Sequence, residues 1–538
     1  MDVKAALDAV RQQLQVGKVL VGAGVLRPER PDRLLAMGSA LRRWGPTVAG
    51  GYVAGAARQP DATALIDEAG TLTFADVHRR TNAIAAGLQA RGIGAGDGVA
   101  VLCRNHRGFV EASVAVSKLG ANVLYLNTGF AGPQLAEVLE REGAKAVVFD
   151  AEFTELVEPC AGDRVLAVAW HEGLTPHSTL DELAEKEDPA DLSPPARPGR
   201  IVILTSGTTG APKGAARGAP KGLGTAAALL SRIPLHARET TVIAAPLFHS
   251  WGLAHMTLGM ALGSTLAMRR RFEPESTLRL VAETGATALV VVPVMLQRIL
   301  ALPEATTSRY DTSSLRVVAA SGSALTGELA LRWMDRFGDN LYNLYGSTEV
   351  AWATIATPAD LRAAPGTAGK PPLGTRVRVV DDHDRDCPPG VTGRIFVGNE
   401  FPFEGYTGGG TKPTLDGLMS VGDMGHFDEG GRLFIEGRED DMIVSGGENV
   451  YPSEVEDLLA VHPAVADCAV VGVPDEEFGQ RLKAFVVLAK GASLTPEDVQ
   501  AHVRSHLARY KVPRDVEFLD ELPRNTTGKV LRTVLRAM

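Results

Sequence analysis

The sequence is short of cysteine, of long apolar runs and of surplus positive charge, and each shortage excludes a class of protein. Four cysteines occur among 538 residues: Cys103, Cys160, Cys387 and Cys468. They are far apart and none forms a C-x-x-C pair, which argues against a disulfide framework or a zinc cage and points to a reduced, cytoplasmic setting. The longest apolar stretch, about Ala288 to Leu296, contains Pro293 and falls far short of the ~20 residues that a membrane span needs. The N-terminus, Met1-Asp2-Val3-Lys4, opens no uninterrupted apolar core of the signal-peptide type. Lys plus Arg number 55 against 64 Asp plus Glu, a formal charge of −9. Such a chain lacks the basic face that phosphate backbones require, which excludes nucleic acid as the main partner.

Hydrophobic residues make up 45% and charged residues 22%, a balance that excludes a wholly disordered chain. The 58 glycines and 32 prolines call for many turns. The length suggests about three or four units at roughly 150 residues each, although one large α/β domain can absorb much of it. The first fifty residues read as helical: Val3, Leu7, Val10 and Leu14 recur at helix spacing, followed by Leu34, Leu35, Leu41 and Trp44 with Arg33, Arg42 and Arg43 beside them. That pattern predicts a helical hairpin packed on the main body, with weak contact to a membrane surface as the alternative.

From about residue 61 strand and helix alternate. Short apolar runs at Val99–Cys103, Asn122–Leu126, Ala146–Phe149, Ile201–Leu204, Val242–Ala245, Leu289–Val292 and Val317–Ala320 predict parallel strands covered by helices on both faces. Helices are expected over Phe109–Leu119 and Pro133–Glu142. After residue 370 the alternation in Arg376–Val380 and Arg394–Val397 predicts half-exposed antiparallel strands. A glycine-rich loop, Gly405 to Gly410, follows. From about residue 441 a compact α+β pattern runs to the end, and Glu185 to Gly199 reads as a surface linker.

The sharpest motif is Thr205-Ser206-Gly207-Thr208-Thr209-Gly210-Ala211-Pro212-Lys213-Gly214, directly after the apolar run Ile201–Leu204. Glycines let backbone N–H groups turn toward an anion, hydroxyls add donors and the lysine adds charge. It is not a Walker loop, because Pro212 precedes the lysine and Gly214 follows it. Asn343-Leu344-Tyr345-Gly346-Ser347-Thr348-Glu349 places an aromatic that can stack on a purine beside a hydroxyl donor and a carboxylate suited to Mg²⁺. Further along stand Val421-Gly422-Asp423-Met424-Gly425, Gly437-Arg438-Glu439-Asp440-Asp441, Ser445-Gly446-Gly447-Glu448 and Thr527-Gly528-Lys529.

In this order the motifs resemble those of the adenylate-forming superfamily of acyl-CoA synthetases, luciferases and adenylation domains, and the resemblance spans about residue 55 to 535. It implies an α/β fold. A large N-terminal domain of layered, mostly parallel sheets flanked by helices is expected, with a smaller, mobile α+β C-terminal domain. The implied limits are a helical extension over 1–50, the AMP-binding domain over 51–439 and the mobile domain over 440–538, hinged near Asp440. It also implies ATP, Mg²⁺ and CoA as co-reactants and a carboxylic acid as substrate.

By the same resemblance Lys529, Glu349, Thr208 and His249 are catalytic, and Glu349 holds the metal. Thr205, Ser206, Gly207, Thr209, Gly210 and Lys213 bind the phosphates. Ser321, Gly322 and Ser323 cup the adenine, with Asn343, Tyr345, Gly346 and Thr348 beside them. Asp423 and Arg438 hold the ribose. Ser445, Gly446, Gly447 and Glu448 line the path of CoA, while Ser453 and Glu456 fit a helix cap and capping box. His249 and Trp251, in Pro246-Leu247-Phe248-His249-Ser250-Trp251-Gly252, mark the acyl pocket, where Trp251 shapes or gates it. Two departures stand out: Ser321-Gly322-Ser323 lacks the Ala-Pro that many members carry, and Ala215-Ala216-Arg217-Gly218 replaces the usual stretch, so helix entry there is expected to differ.

The expected reaction is ligation of a medium- or long-chain fatty acid to CoA through acyl-AMP. The alternatives are a benzoate-like aryl-CoA ligase, an adenylation enzyme serving a carrier protein, a luciferase-like oxygenase and a catalytically dead nucleotide-binding regulator. The chain ends nine residues after Lys529, so no fused carrier domain is expected. A homodimer is compatible with this reading.

Overall fold

The computed structural model describes residues 3–538 apart from 28, 188, 206–212, 218–221, 402, 408, 440, 442, 446–447, 476–478 and 526–527. The apolar runs become strands because they are short, rich in valine and isoleucine, and followed by amphipathic helices. Gly98–Leu102 and Val317–Ala320 are buried at every position, as strands covered on both faces must be.

Among the described residues, one sheet has seven strands in the order Phe403–Tyr406, Lys213–Arg217, Ile201–Thr205, Asn122–Tyr125, Gly98–Leu102, Ala144–Asp150 and Val165–Trp170. Its last five strands are parallel. A second sheet has eight, in the order Thr354–Ala356, Leu341–Tyr345, Val317–Ala320, Ala288–Val291, Thr240–Ile243, Thr265–Met268, Thr63–Asp67 and Gly70–Thr73. Only its two edge strands run antiparallel. One apolar core joins the two sheets through the helices Phe74–Ala90 and Arg107–Leu119.

Those two helices begin where their caps place them. Thr73 and Asp76 close a reciprocal capping box. His106 Nδ1 accepts from the Gly108 N–H at 3.0 Å, which leaves Nε2 to donate to Asp150 at 2.7 Å. Cys103 lies in the same fully buried group and hydrogen-bonds the Val148 carbonyl at 3.6 Å. All four cysteines are free thiols.

The stretch where the usual pattern breaks is not a helix entry. Lys213–Arg217 continues as a strand antiparallel to Ile201–Thr205, and the next helix starts at Gly224. Beyond residue 370 a five-stranded antiparallel sheet forms, with Arg376–Val380 paired to Gly393–Gly398 as the alternation predicts. The last unit has its own five-stranded sheet over a separate core that includes Ile443, Val450, Leu482 and Val486. A core of its own is what lets a unit move as a body.

The N-terminal extension is helical: α1 (Val3–Gly22), α2 (Pro31–Trp44) and α3 (Val48–Arg58). Gly45, at φ 67°, and Thr47, whose Oγ1 accepts from the Gly50 N–H at 3.0 Å, turn the chain between α2 and α3, so the hairpin is made by these two helices and not, as expected, by the first two; α1 packs instead beside the helix Gly224–Leu230. The hairpin sits tightly on the body: a Cβ on Gly55 would lie 2.5 Å from the Phe74 ring. Among the described residues no helix is long and apolar enough to cross a membrane.

Candidate active site

Open parallel sheets present their sites beyond the carboxyl ends of the strands. Here the strand Ile201–Thr205 and the segments following Val317–Ala320 and Leu341–Tyr345 meet one continuous cavity of about 1510 Å³, large enough for more than one ligand. Ser206, Gly207, Thr208, Thr209 and Gly210 lie outside the described residues, and so do the side chains of Thr205 and Lys213. The backbones of Thr205 and Lys213 are register partners on adjacent antiparallel strands.

Ser321 Oγ donates to the Leu344 carbonyl at 2.8 Å, tying two strand ends together. Gly322 takes φ +97°, a conformation that disfavours side chains. Ser321, Gly322 and Ser323 line the cavity, as does Asn343. Asn343 Oδ1 is buried without a partner among the described residues, so a donor on a ligand can satisfy it.

Asp423 and Arg438 sit opposite each other on adjacent antiparallel strands. Arg438 Nη1 lies 3.3 Å from Asp423 Oδ1, and the Tyr345 hydroxyl donates to Asp423 Oδ2 at 2.5 Å. Burial, then the Asp423 carboxylate, pushes the Tyr345 hydroxyl well above the ordinary tyrosine range, so it remains a donor.

Glu349 follows a turn that needs Gly346, where a Cβ would stand 2.4 Å from the Ala351 carbonyl. Its carboxylate accepts from the Tyr406 hydroxyl at 2.5 Å. Burial works to raise the Glu349 pKa, but hydrogen bonds from Tyr406 and Ser347 and the charge of Lys412 outweigh it, and the net shift is downward. An ionised carboxylate at the cavity wall is a donor of the kind Mg²⁺ prefers. Tyr406 and Lys412 both line the cavity and were missed in the sequence. The glycine-rich loop at 405–410 was the signal, since such loops commonly position a neighbouring side chain.

Elsewhere on the cavity wall, His249 precedes the helix Ser250–Leu262. Its Nε2 is buried with no partner among the described residues, and burial lowers its pKa to about 4, so the ring is neutral at pH 7. Trp251 is buried, donates from Nε1 to the Val291 carbonyl at 3.1 Å and meets His255 edge-on at 4.2 Å between ring centres. That bond anchors the indole as a wall of the cavity; a gate would have to break it. Asn105, also missed in the sequence, donates to the Ala245 carbonyl at 2.8 Å and accepts from the Leu247 N–H at 2.9 Å, fixing the segment that carries His249.

The C-terminal unit reaches the same cavity. Arg524 and Val530 close a short hairpin whose Gly528, at φ +79°, leaves no room for a Cβ: it would lie 2.6 Å from Val294 Cγ1 of the large unit. Lys529 lines the cavity. Protein crowding and then Arg438 lower its ammonium pKa, against the pull of Asp423 and Asp441. Asp440, Gly446 and Gly447 lie outside the described residues, as do the side chains of Ser445 and Glu448; the backbones of the latter two are register partners on adjacent antiparallel strands.

The capping role expected of Ser453 and Glu456 does not hold. The helix starts at Pro452 without a side-chain cap. Ser453 Oγ donates to the Glu436 carbonyl, and Glu456 accepts from the Val470 N–H at 2.7 Å and from Arg532 at 2.8 Å.

The shifted histidines His249 and His255 make a pH prediction. His249 and His255 are both lowered to about 4, by burial first, while an unfolded histidine titrates near ~6.5. The unfolded chain therefore takes up protons that the folded protein refuses, so stability present above pH 6.5 is lost as pH falls toward 4. His255→Gln is expected to lose roughly 3 kcal/mol less over that window, as read by urea unfolding at successive pH values. Parallel curves for the two proteins would contradict it.

Comparison with known proteins agrees with this geometry. Residues 52–407 match the AMP-binding enzyme family and residues 454–529 the AMP-binding enzyme C-terminal domain. A feruloyl-CoA synthase of an Amycolatopsis species is 36% identical over 482 residues, 89% of this chain and 96% of that protein. The fatty acid–[acyl-carrier-protein] ligase ScoC of Streptomyces coeruleorubidus is 32% identical over 495 residues, 89% of this chain and 94% of that protein. The crystal structure of ATP-bound MatB from Rhodopseudomonas palustris matches with a TM-score of 0.81 at 28% identity, over 91% of this chain and 98% of that one. With both family domains present in order, the chain belongs to the AMP-binding enzymes of the adenylate-forming superfamily: it is an AMP-forming acid–thiol ligase that works through acyl-AMP with ATP, Mg²⁺ and CoA.

Proposed function

We propose that the acid is aliphatic, of medium or long chain. The observation that carries this is the run of cavity along the helix Ser250–Leu262. Ser250, Leu253, Ala254, Thr257, Leu258 and Ala261 all line it, and their spacing places them on one helix face. From Ser250 to Ala261 that face runs roughly 17 Å at about 1.5 Å per residue. An extended hydrocarbon of C–C bonds near 1.5 Å advances about 1.25 Å per carbon, so this run suits a chain of about a dozen carbons. A single aromatic ring fills only its inner part.

In this reading the hydroxyl- and glycine-rich loop between Thr205 and Lys213 takes the phosphates, and Thr208 and Thr348 donate to them. Ser321, Gly322, Ser323 and Asn343 hold the adenine, while Asp423 and Arg438 hold the ribose hydroxyls. Glu349 would hold Mg²⁺, which neutralises phosphate charge when bound. The acid carboxylate attacks the α-phosphate and pyrophosphate leaves. Lys529 stabilises the charge gathered there, and neutral His249 can donate from Nε2 to the carboxylate. The C-terminal unit then turns near Asp440 and presents Ser445–Glu448, and the CoA thiol displaces AMP.

The test is an acid panel with ATP, Mg²⁺ and CoA, scored by AMP release. Straight-chain acids near a dozen carbons are expected to give the highest kcat/KM. The likeness to a feruloyl-CoA synthase favours the second reading, an aromatic acid. Preference for ferulate or benzoate over every aliphatic acid would establish that reading instead.

A further inference from the structure

We infer that the helical extension before the family domain builds the outer end of the acyl pocket, and that Met37 and Leu41 set the length of chain the enzyme accepts. This rests on the aliphatic reading above. The cavity that holds His249 and Lys529 is also lined by Leu26, between α1 and α2, and by Met37 and Leu41 of α2. All three precede residue 52, where the match to the family begins. The acyl end of the site is thus completed by chain that belongs to this protein rather than to the shared domain.

The extension is held firmly enough to serve as a wall. Trp44 is buried at the end of α2, and α3 packs against Phe74. Between α1 and α2, Glu29 pairs with Arg58 of α3 at 3.2 Å and with Arg238 of the body. That clamp fixes the segment carrying Leu26.

The rim of this outer end is apolar and open. Leu26, Leu41 and Leu223 line the cavity and remain 47%, 38% and 39% exposed. Large apolar side chains gathered on a cavity rim mark a passage for an apolar ligand. The same cavity is also lined by Asp423, Arg438 and Lys529. The cavity therefore suits one molecule with a carboxylate at Lys529 and a hydrocarbon tail that passes Met37 and leaves beside Leu41. Chains that stop short of Met37 gain nothing from the extension. Longer ones gain about fourfold per buried CH₂.

The experiment is a chain-length series of acids on the full protein, the wild type against Met37→Trp, Leu41→Trp and Met37→Ala. Both tryptophan variants are expected to lower kcat/KM for acids of sixteen carbons at least tenfold while leaving eight-carbon acids nearly unchanged. Met37→Ala is expected to move the optimum toward longer chains. Leu41 is partly exposed, so Leu41→Trp should not disturb folding; an unchanged Tm and unchanged pyrophosphate release with the short acid verify that. Equal losses at all lengths, or an unchanged profile, on an enzyme that uses aliphatic acids would overturn this inference alone. A wild type that uses no aliphatic acid would overturn the proposed substrate class and this inference with it.

Discussion

Lys529→Ala is expected to slow acyl-AMP formation by roughly 10²–10³-fold, the usual cost of removing one group that stabilises charge in the transition state. Thioester formation from supplied acyl-AMP should be largely retained. The reason is positional. Lys529 reaches the cavity only because the hairpin closed by Arg524 and Val530 lies against Val294 of the large unit. There it joins Arg438, Asp423 and Asp441, which shape its ammonium pKa. A turn of the C-terminal unit would carry Lys529 away with the rest of that hairpin. Pre-steady-state pyrophosphate release and thioester formation, measured separately, check this. Equal losses in the two half-reactions would show that the lysine is not confined to the first.

Trp251→Ala is expected to lower stability by about 3–5 kcal/mol, the range for truncating a buried large aromatic. The indole is buried, donates to the Val291 carbonyl at 3.1 Å and packs on His255. Truncation leaves a cavity and takes the donor from that carbonyl. A shift in acid preference is therefore better sought with Trp251→Phe, which keeps a ring against His255. Urea unfolding of both variants decides the matter: wild-type stability in Trp251→Ala would show that the ring carries no packing load.

Much of the fold was legible because its causes are local. The runs at Val99–Cys103, Leu289–Val292 and Val317–Ala320 became strands within a residue of their expected limits, since valine-rich runs between amphipathic helices have few other ways to be buried. The stretch after Gly214 departed from the pattern and misled as to form. Its short residues Ala215 and Ala216 are buried in a strand paired with Ile201–Thr205, a pairing that local propensity does not announce. Ser453 misled in the same way: its hydroxyl found the Glu436 carbonyl, a partner supplied by packing.

By itself the sequence determined the family, the order of the motifs, the parallel α/β architecture and the helical character of the N-terminal extension, because each is written in residue type at short spacing. Tertiary structure alone decided which side chains meet. Strand register set Asp423 opposite Arg438, and Tyr406 was folded back onto Glu349 across 57 residues of chain. The strand Ala144–Asp150 brought Asp150 to His106 and Cys103. Helix packing placed Met37 and Leu41 on the wall of a cavity whose chemistry begins at His249. Such contacts depend on register and on packing between distant elements, where a shift of one residue turns a side chain to the opposite face, and no local pattern records them.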